Sequence, residues 1–467
     1  MWFMFRVLLF FVCSVFFLCE SVAQPTSRDS VARPASRDPK AQQRSLGQPR
    51  FKPRKKDKKK PKQNPNRLEI GGIPAVNYNT DTGLGLGAIG SLTQFDPEKY
   101  PYRWRLFGQI YLTLMFEPTG VEVPYHWHYL ELDLPQIFPN VRLYGRIQFI
   151  RSSVAGYYGL GNNAEKLTPW ENLDPETQRD AFRTARRYQQ YDRIYPGFSL
   201  AARITLWKKN RKRVEWYVRS DLNYNLINVY TGSKLARDIE STSGSTAQGV
   251  TLRDVLKGTN NHMLWLLSTG ILWDTRNNEF TPYRGFLHEL SVRASPGVDD
   301  QLYYWGATLN LRFYQSLLGE YLVLAGRLIG DIMVGNVPFY MLAEHGGYFP
   351  DVSLGGGSGV RAVPTGRYHG KFKVLGNLEL RSKFLNFCSV WNLGALLFLD
   401  IGRAWLGAGT DTQLFDGQDS LENWLGLKAS IGAGLRLQWG TAFVIRADIG
   451  YSNIGEMGFY LNVNHIF

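Results

Sequence analysis

The chain has 467 residues and a formal net charge of +14, a value often found in nucleic-acid-binding proteins. Residues 1–23 are neutral overall and residues 24–66 hold 14 Lys and Arg against 3 Asp, a net of +11, so residues 67–467 carry only +3. The basic excess therefore belongs to one short segment, and nucleic acid is excluded as a partner of the main body. Beyond residue 23 no run of 18 apolar residues occurs, which excludes a helical membrane protein.

Residues 1–23 have the pattern of a secretory signal peptide. Arg6 supplies a positive start, the apolar run 7–19 has the length of a signal core, and Ser21-Val22-Ala23 forms a small-x-small cleavage pattern. The alternative is a membrane anchor, but a spanning helix needs about 20 apolar residues and this run is shorter. Cleavage leaves Cys388 as the only cysteine of the mature protein, so the sequence predicts no internal disulfide.

Residues 24–66 are rich in Pro, Ser, Arg, Lys and Gln and contain almost no large apolar side chain. Such a composition cannot bury enough surface to offset the entropy of ordering, which predicts a disordered basic linker on the periplasmic side. Two interpretations stay open for its most basic part, residues 52–62. It is either a solvated tether or a segment that contacts an anionic surface, such as lipid headgroups or cell-wall polymer.

From Arg67 onward the sequence alternates apolar and polar residues, which is typical of β-strands. In segment 213–229, for example, Trp216 and Leu222 fall on one face and Glu215 and Asp221 on the other. An apolar face opposite a charged face suits a wall between lipid and water. We predict sixteen strands, at residues 68–77, 84–95, 102–115, 124–135, 141–153, 193–208, 213–229, 262–275, 285–296, 302–315, 319–333, 368–385, 391–405, 427–439, 441–453 and 457–467.

The connections between these strands are unequal in length. If the first strand runs outward, all four long connections lie on the external side, at residues 154–192, 230–261, 334–367 and 406–426. Long external loops and short periplasmic turns characterise outer-membrane barrels, and an even strand number lets the sheet close without an unpaired edge in lipid. The sequence therefore predicts an all-β fold over 67–467, a 16-stranded antiparallel transmembrane β-barrel in the outer membrane.

Four stretches of the predicted barrel resemble a known superfamily. They are Ile73–Tyr78 with Gly83–Gly87, Asp274–Gly285, Leu354–Arg361 with Arg367 and Tyr368, and Phe398–Gly402. Their order and spacing resemble the BamA/TamA-type surface-antigen barrels, which include outer-membrane protein insertases and two-partner-secretion transporters. Those proteins carry periplasmic POTRA modules, and residues 24–66 are too short and too polar to form one. The resemblance therefore implies a barrel-only member, whose POTRA-like or surface partners would be separate chains.

The same resemblance implies a contact inside the barrel, which we call the loop lock. In such barrels the sixth external loop folds into the lumen, and an Arg at its tip meets an acidic residue of the wall. Here Arg361 follows Gly359 in the sixth external loop, and Asp400 faces the lumen two strands later. A guanidinium can grip a carboxylate at two points, so the expected partner of Arg361 is Asp400, with Glu379 as the second candidate. The family's Arg-Gly-aromatic tip is Arg361-Ala362-Val363 here, which is a departure.

Sites for chemistry are not evident in the sequence. His126 and His128 lie two apart on one strand face, a spacing that could hold a metal, but no third ligand follows and flanking aromatic residues fit an interfacial belt instead. The glycine-rich run 355–359 lacks the Lys-Ser/Thr that completes a phosphate-binding loop. We expect no catalytic residues, no metal and no cofactor.

The leading functional hypothesis is a component of protein or lipid translocation or insertion across the outer membrane. A weak seam between the first and last strands would serve this function, since Gly71 and Gly72 weaken the pairing of the first strand. The last strand is predicted to end on the aromatic residue Phe467, an expected assembly signal, with His465 at a position that is usually apolar. The alternatives are a passive channel or small-molecule or lipid transporter, and an outer-membrane hydrolase.

Overall fold

The structure, a computed structural model, describes residues 66–467 except 163, 242–250, 300, 349–351, 388–390, 408–425, 440–442, 464 and 466. The predicted signal peptide at 1–23, residues 24–65 of the predicted linker, and Cys388 lie outside the described residues. The expectations for these segments stay predictions.

The described residues form a closed barrel of 16 antiparallel strands, which confirms the predicted fold class. Each strand pairs with its neighbours in the sequence, and β1 also pairs with β16, so the sheet closes on itself. The strands are β1 Arg67–Asn79, β2 Gly83–Asp96, β3 Lys99–Glu117, β4 Tyr125–Phe138, β5 Val141–Gly156, β6 Gln190–Lys209, β7 Lys212–Asn228, β8 His262–Asp274, β9 Gly285–Pro296, β10 Tyr303–Leu318, β11 Leu322–Gly335, β12 Phe372–Phe387, β13 Trp391–Trp405, β14 Lys428–Trp439, β15 Phe443–Ser452 and β16 Met457–Val463.

The two faces of the wall differ as the alternation predicts. In β7, Trp216 and Leu222 point outward and are 40% and 41% exposed, whereas Glu215 and Asp221 point into the lumen and are buried. The same division holds in β15, where Ile449 is exposed on the outer face and Asp448 is fully buried inside. Because lipid solvates apolar side chains and cannot solvate charges, this division places the barrel across a membrane.

The connections also differ between the two ends of the barrel. The long loops 157–189, 229–261, 336–371 and 406–427 all lie at one end, the predicted external end. At the other end β4–β5 and β6–β7 are joined by two-residue turns, which need a residue with positive φ, supplied by Asn140 at 63° and Asn210 at 56°. The external loops carry the remaining elements: the strand Gly120–Glu122, the helices α1 Arg179–Arg186, α2 Lys234–Glu240 and α3 Leu252–Val255, the 3-10 helix Phe339–Ala343, and the paired strands Glu344–His345 and Val352–Ser353.

A hydrophobic core joins the external loops to one another and to the rim of the wall. Its buried side chains include Tyr157, Leu235, Phe339, Tyr340 and Leu342, which come from three different loops. No helix among the described residues is long and apolar enough to cross a membrane. The core fixes external loop 6, residues 336–371, at its entrance to the lumen.

Candidate functional site: the loop lock and the strand seam

External loop 6 folds back into the barrel beyond its 3-10 helix. Leu354, Val360 and Val363 are each 1% exposed and pack with Ile329 and Leu375 of the inner wall. Burying apolar side chains is favourable, so this small core holds the loop tip at the depth where the lumen-facing carboxylates lie.

Arg361 at the loop tip is fully buried and touches three carboxylates. Its Nε donates to Asp400 Oδ2 at 2.7 Å and its Nη2 donates to Asp400 Oδ1 at 2.9 Å, a two-point grip. Its Nη1 donates to Glu379 Oε1 at 2.9 Å and to Asp448 Oδ2 at 3.2 Å. The structure thus brings together the three residues that the sequence had singled out, Arg361, Asp400 and Glu379, and adds Asp448 to them.

The loop tip also makes aromatic and main-chain contacts with the wall. The guanidinium carbon of Arg361 lies 3.4 Å from the ring centroid of Phe398, which neighbours Asp400 on the inner face of β13. The backbone N–H of Ala362 donates to the hydroxyl oxygen of Tyr460 in β16 at 3.1 Å. The wall therefore supplies the aromatic ring that the departure to Ala362 and Val363 removed from the tip.

Small residues make room for the loop. A Cβ at Gly402 would lie 2.8 Å from Leu354 Cδ1 and 2.9 Å from Val360 Cγ2, so only glycine lets these side chains approach the wall so closely. Gly359 is equally constrained, since a Cβ there would lie 2.3 Å from the carbonyl oxygen of Ser353, and its own carbonyl accepts from Asn377 Nδ2 at 2.9 Å. The glycines of the third and fourth motifs are thus positions of close packing rather than of free movement.

A second buried ion cluster lies under the same loop, and sequence reasoning missed it. Arg293 Nη1 and Nη2 donate to the two carboxylate oxygens of Asp331 at 2.8 and 2.9 Å, and Lys373 Nζ lies 3.1 Å from Asp331 Oδ2. The backbone N–H of Gly346 in loop 6 also donates to Asp331 Oδ1 at 3.2 Å. All three charged side chains sit on inner faces of the wall, so the alternation marked them as lumen-facing without showing that they meet.

The seam between β1 and β16 is short. β1 pairs with β2 along 13 residue pairs but with β16 only through Tyr78 with Leu461 and Asn79 with Tyr460. Thr80 reinforces this external end, where its Oγ1 donates to the Phe459 carbonyl at 2.9 Å. Loop 6 joins in, because Thr365 donates through its N–H and its hydroxyl to Asp81 Oδ2 at 3.1 and 2.6 Å.

The predicted extent of the last strand, 457–467, is wrong at its end. β16 stops at Val463, and Phe467 lies in the lumen, 6% exposed, beside Tyr314 and Ala325. The guanidinium carbons of Arg327 and Arg381 lie 5.1 and 4.9 Å from its ring centroid. These cation–π contacts favour the ring inside the barrel over a place in the wall. The role of Phe467 as an assembly signal stays a prediction.

The two histidines considered as metal ligands, His126 and His128, lie on one face with ring centroids 5.9 Å apart. Among the described residues no group of three or more His, Cys, Asp and Glu side chains is arranged to hold a metal ion. The ion-pair geometry of the lumen is therefore the chemistry that this part of the chain offers: tethering a loop.

A closed 16-stranded barrel with an external loop folded into its lumen defines a class of outer-membrane transport and insertion barrels. The Omp85 superfamily domain matches residues 143–467, more than half of the chain, so the protein belongs to the Omp85 superfamily. This confirms the resemblance read from the four motifs. No curated protein sequence matches the chain.

Solved structures with the same fold include two relatives at low identity. BamA from Haemophilus ducreyi lacking POTRA domains 1–3 is 16% identical with a TM-score of 0.50, and the match covers 85% of this chain and 70% of that chain. CdiB from Escherichia coli is 11% identical with a TM-score of 0.51, and the match covers 85% of this chain and 62% of that chain. At such identities the likeness shows the fold, and this chain spans less than two thirds of the length of CdiB.

Proposed function

We propose that the protein is a component of protein insertion or translocation, or of lipid translocation, in the outer membrane, and that the seam between β1 and β16 is its working part. The short seam carries this proposal. Along residues 67–77 of β1 the edge facing the seam has no partner in the described part of β16. An unpaired edge offers backbone donors and acceptors to another strand, so an incoming segment could add to β1.

The packing of loop 6 favours this function over a passive channel. Arg361 and the carboxylates of Asp400 and Glu379 are fully buried, and apolar residues of the loop pack on the inner wall beside them. An open pore would need these charges to face water. Outer-membrane barrels of the Omp85 type are, as a class, not enzymes, which counts against the hydrolase hypothesis.

The partners follow from what the described residues lack. They contain no POTRA-like module, whereas the BamA structure of similar fold is named for its POTRA domains. We infer that separate periplasmic chains supply the client-receiving modules, with residues 24–66 reaching into the periplasm as a basic tether. The contact of that tether with anionic headgroups or cell-wall polymer remains part of the same proposal.

A reversible lock on the seam tests the function. In a chain with Cys388 replaced by Ser, the double variant Tyr78→Cys/Leu461→Cys joins directly opposed residues of β1 and β16. We expect its oxidised form to stop the insertion of a urea-denatured eight-stranded outer-membrane barrel into proteoliposomes, and reduction to restore it.

The matched control is Val76→Cys/Leu86→Cys, which joins β1 to β2 and leaves the seam free. The control should insert the test barrel at the same rate whether oxidised or reduced. Insertion at the unmodified rate through an oxidised seam would show that β1 and β16 need not part, and the proposed function would fall.

A further inference from the structure

The turn between β6 and β7 carries a dense basic cluster at the short-turn end of the barrel. Residues 208–213 read Lys-Lys-Asn-Arg-Lys-Arg, so five of six positions are cationic. Lys208, Lys209, Arg211 and Lys212 are all exposed. This cluster lies on the folded wall and is separate from the basic segment 24–66.

The arginines of this cluster have structural partners, and the lysines do not. Arg211 Nη1 donates to the Asn277 carbonyl at 2.9 Å, and Arg213 Nη2 lies 3.1 Å from Asp274 Oδ2 and 2.6 Å from Glu279 Oε1. No ion pair or hydrogen bond from the side chains of Lys208, Lys209 or Lys212 occurs within the described part of the chain. The lysine charges are thus left available to something outside the protein.

The register places like charges directly opposite one another. Lys209 pairs with Lys212 across the turn, and Lys208 pairs with Arg213. Like charges in opposed positions destabilise a β-ladder, because their Cβ atoms lie only about 5 Å apart. An anion placed between Lys209 and Lys212 would remove this repulsion.

The side of the wall that carries this lysine pair is the lipid-facing one. Lys212, Val214 and Trp216 alternate along β7 and so share a face, and Lys209, opposite Lys212, shares it too. Trp207 lies opposite Val214 on that face and Trp273 lies on its other side; the two rings are 45% and 48% exposed. Exposed tryptophans on the lipid face mark the membrane–water interface, and here the lysine pair follows them immediately on the side away from the hydrocarbon.

We propose that Lys209 and Lys212, flanked by Trp207 and Trp273, form a binding site for the headgroup phosphate of an anionic phospholipid in the periplasmic leaflet. The indole rings lie at the level of the lipid glycerol region, and the two ammonium groups extend to the phosphate. Lipid is the occupant favoured over a protein, because the lysine pair continues the lipid-facing column of side chains.

The test uses the full-length protein in nanodiscs that contain phosphatidylcholine and phosphatidylglycerol. The double variant Lys209→Gln/Lys212→Gln removes both charges, and Arg237→Gln/Arg253→Gln removes two exposed charges from the external loops as the matched control. Lipids that stay bound after transfer to detergent are counted by native mass spectrometry. We expect the unmodified protein and the control to retain phosphatidylglycerol in preference to phosphatidylcholine, and the lysine variant to lose that preference by roughly 25-fold.

Three results would overturn the proposal, each measured on variants that keep the folded band on an unheated gel. One is equal retention of the two lipids by the unmodified protein. Another is displacement of phosphatidylglycerol by millimolar inorganic phosphate, which would make this a free-phosphate site. The third is lipid preference unchanged in the lysine variant, with loss of an acidic periplasmic protein from the native complex instead.

Discussion

The backbone N–H of Ala362 and the hydroxyl of Tyr460 form a hydrogen bond of 3.1 Å that ties the tip of loop 6 to the last strand of the barrel. Both residues are buried, at 3% and 1% exposure. The contact joins the lumen to the strand that forms one side of the seam, so movement of either should be felt by the other.

Tyr460→Phe removes the hydroxyl and leaves the Ala362 N–H without its acceptor. An unsatisfied buried donor costs about 1–3 kcal/mol, so the midpoint of thermal unfolding should fall. Heat-modifiability on gels, where the folded barrel migrates faster, measures this midpoint. Tyr451→Phe is the control, because Tyr451 is 54% exposed on the outer face and should leave the midpoint unchanged.

Arg361→Ala leaves the carboxylates of Glu379, Asp400 and Asp448 buried together without the cation that binds all three. Removing one partner from a buried ion cluster typically costs about 3–5 kcal/mol. We expect a large fall in the unfolding midpoint and a rise in single-channel current in planar bilayers. Arg186→Gln breaks a pair with Glu117 whose Arg side chain is 33% exposed, and it should change stability by less than about 1 kcal/mol. Equal effects of the two substitutions would contradict the loop lock.

Gly402→Val should displace loop 6 from the wall. Even a Cβ at Gly402 approaches Leu354 and Val360 to within 2.9 Å, and two further methyl groups leave no room for either side chain. Protease cleavage within 336–371, measured on intact proteoliposomes, should therefore increase. Gly145→Val is the control, since a Cβ at Gly145 meets nothing within 4 Å. Protection of loop 6 in the Gly402 variant would mean that the loop is held elsewhere.

Acidification should destabilise the barrel through His369 of loop 6. Burial, followed by the charge of Lys373, lowers the pKa of His369 from 6.5 to about 3. A pKa below that of the unfolded chain means that the neutral ring stabilises the fold, fully above pH 6.5 and less and less as the pH falls toward 3. The unfolding midpoint of the unmodified protein should therefore decline across this range more steeply than that of His369→Phe. Parallel curves below pH 6.5 would refute this role, and the range above pH 6.5 serves as the internal control.

Much of the wall could be predicted from the sequence because alternation is a local property. The bounds predicted for β9 and β13, 285–296 and 391–405, agree with the structure, and the lumen-facing position of Asp400 followed from the alternation around it. The meeting of Arg361 with Asp400 rested instead on the resemblance to a family of barrels, since no pattern of spacing can bring a loop onto a wall.

Contacts that depend on the registers of distant strands were beyond the sequence. Asp448 and Tyr460 lie 87 and 98 residues after the loop tip they touch, and their alternation marked an inner face without indicating a partner. The end of β16 was wrong for a related reason. An aromatic residue such as Phe467 fits a lipid-facing strand and a pocket between two guanidinium groups equally well, and only the fold brings Arg327 and Arg381 together.

The position of the loop tip in the lumen can be measured directly by a disulfide between Val360→Cys and Gly402→Cys. The Cβ position at residue 402 lies 2.9 Å from Val360 Cγ2, which is within reach of such a bond. In intact membranes, with Cys388 replaced by Ser, we predict rapid and nearly complete cross-linking of this pair and none of Val360→Cys/Gly145→Cys. A folded barrel in which residues 360 and 402 fail to cross-link would contradict the placement of loop 6 inside the lumen.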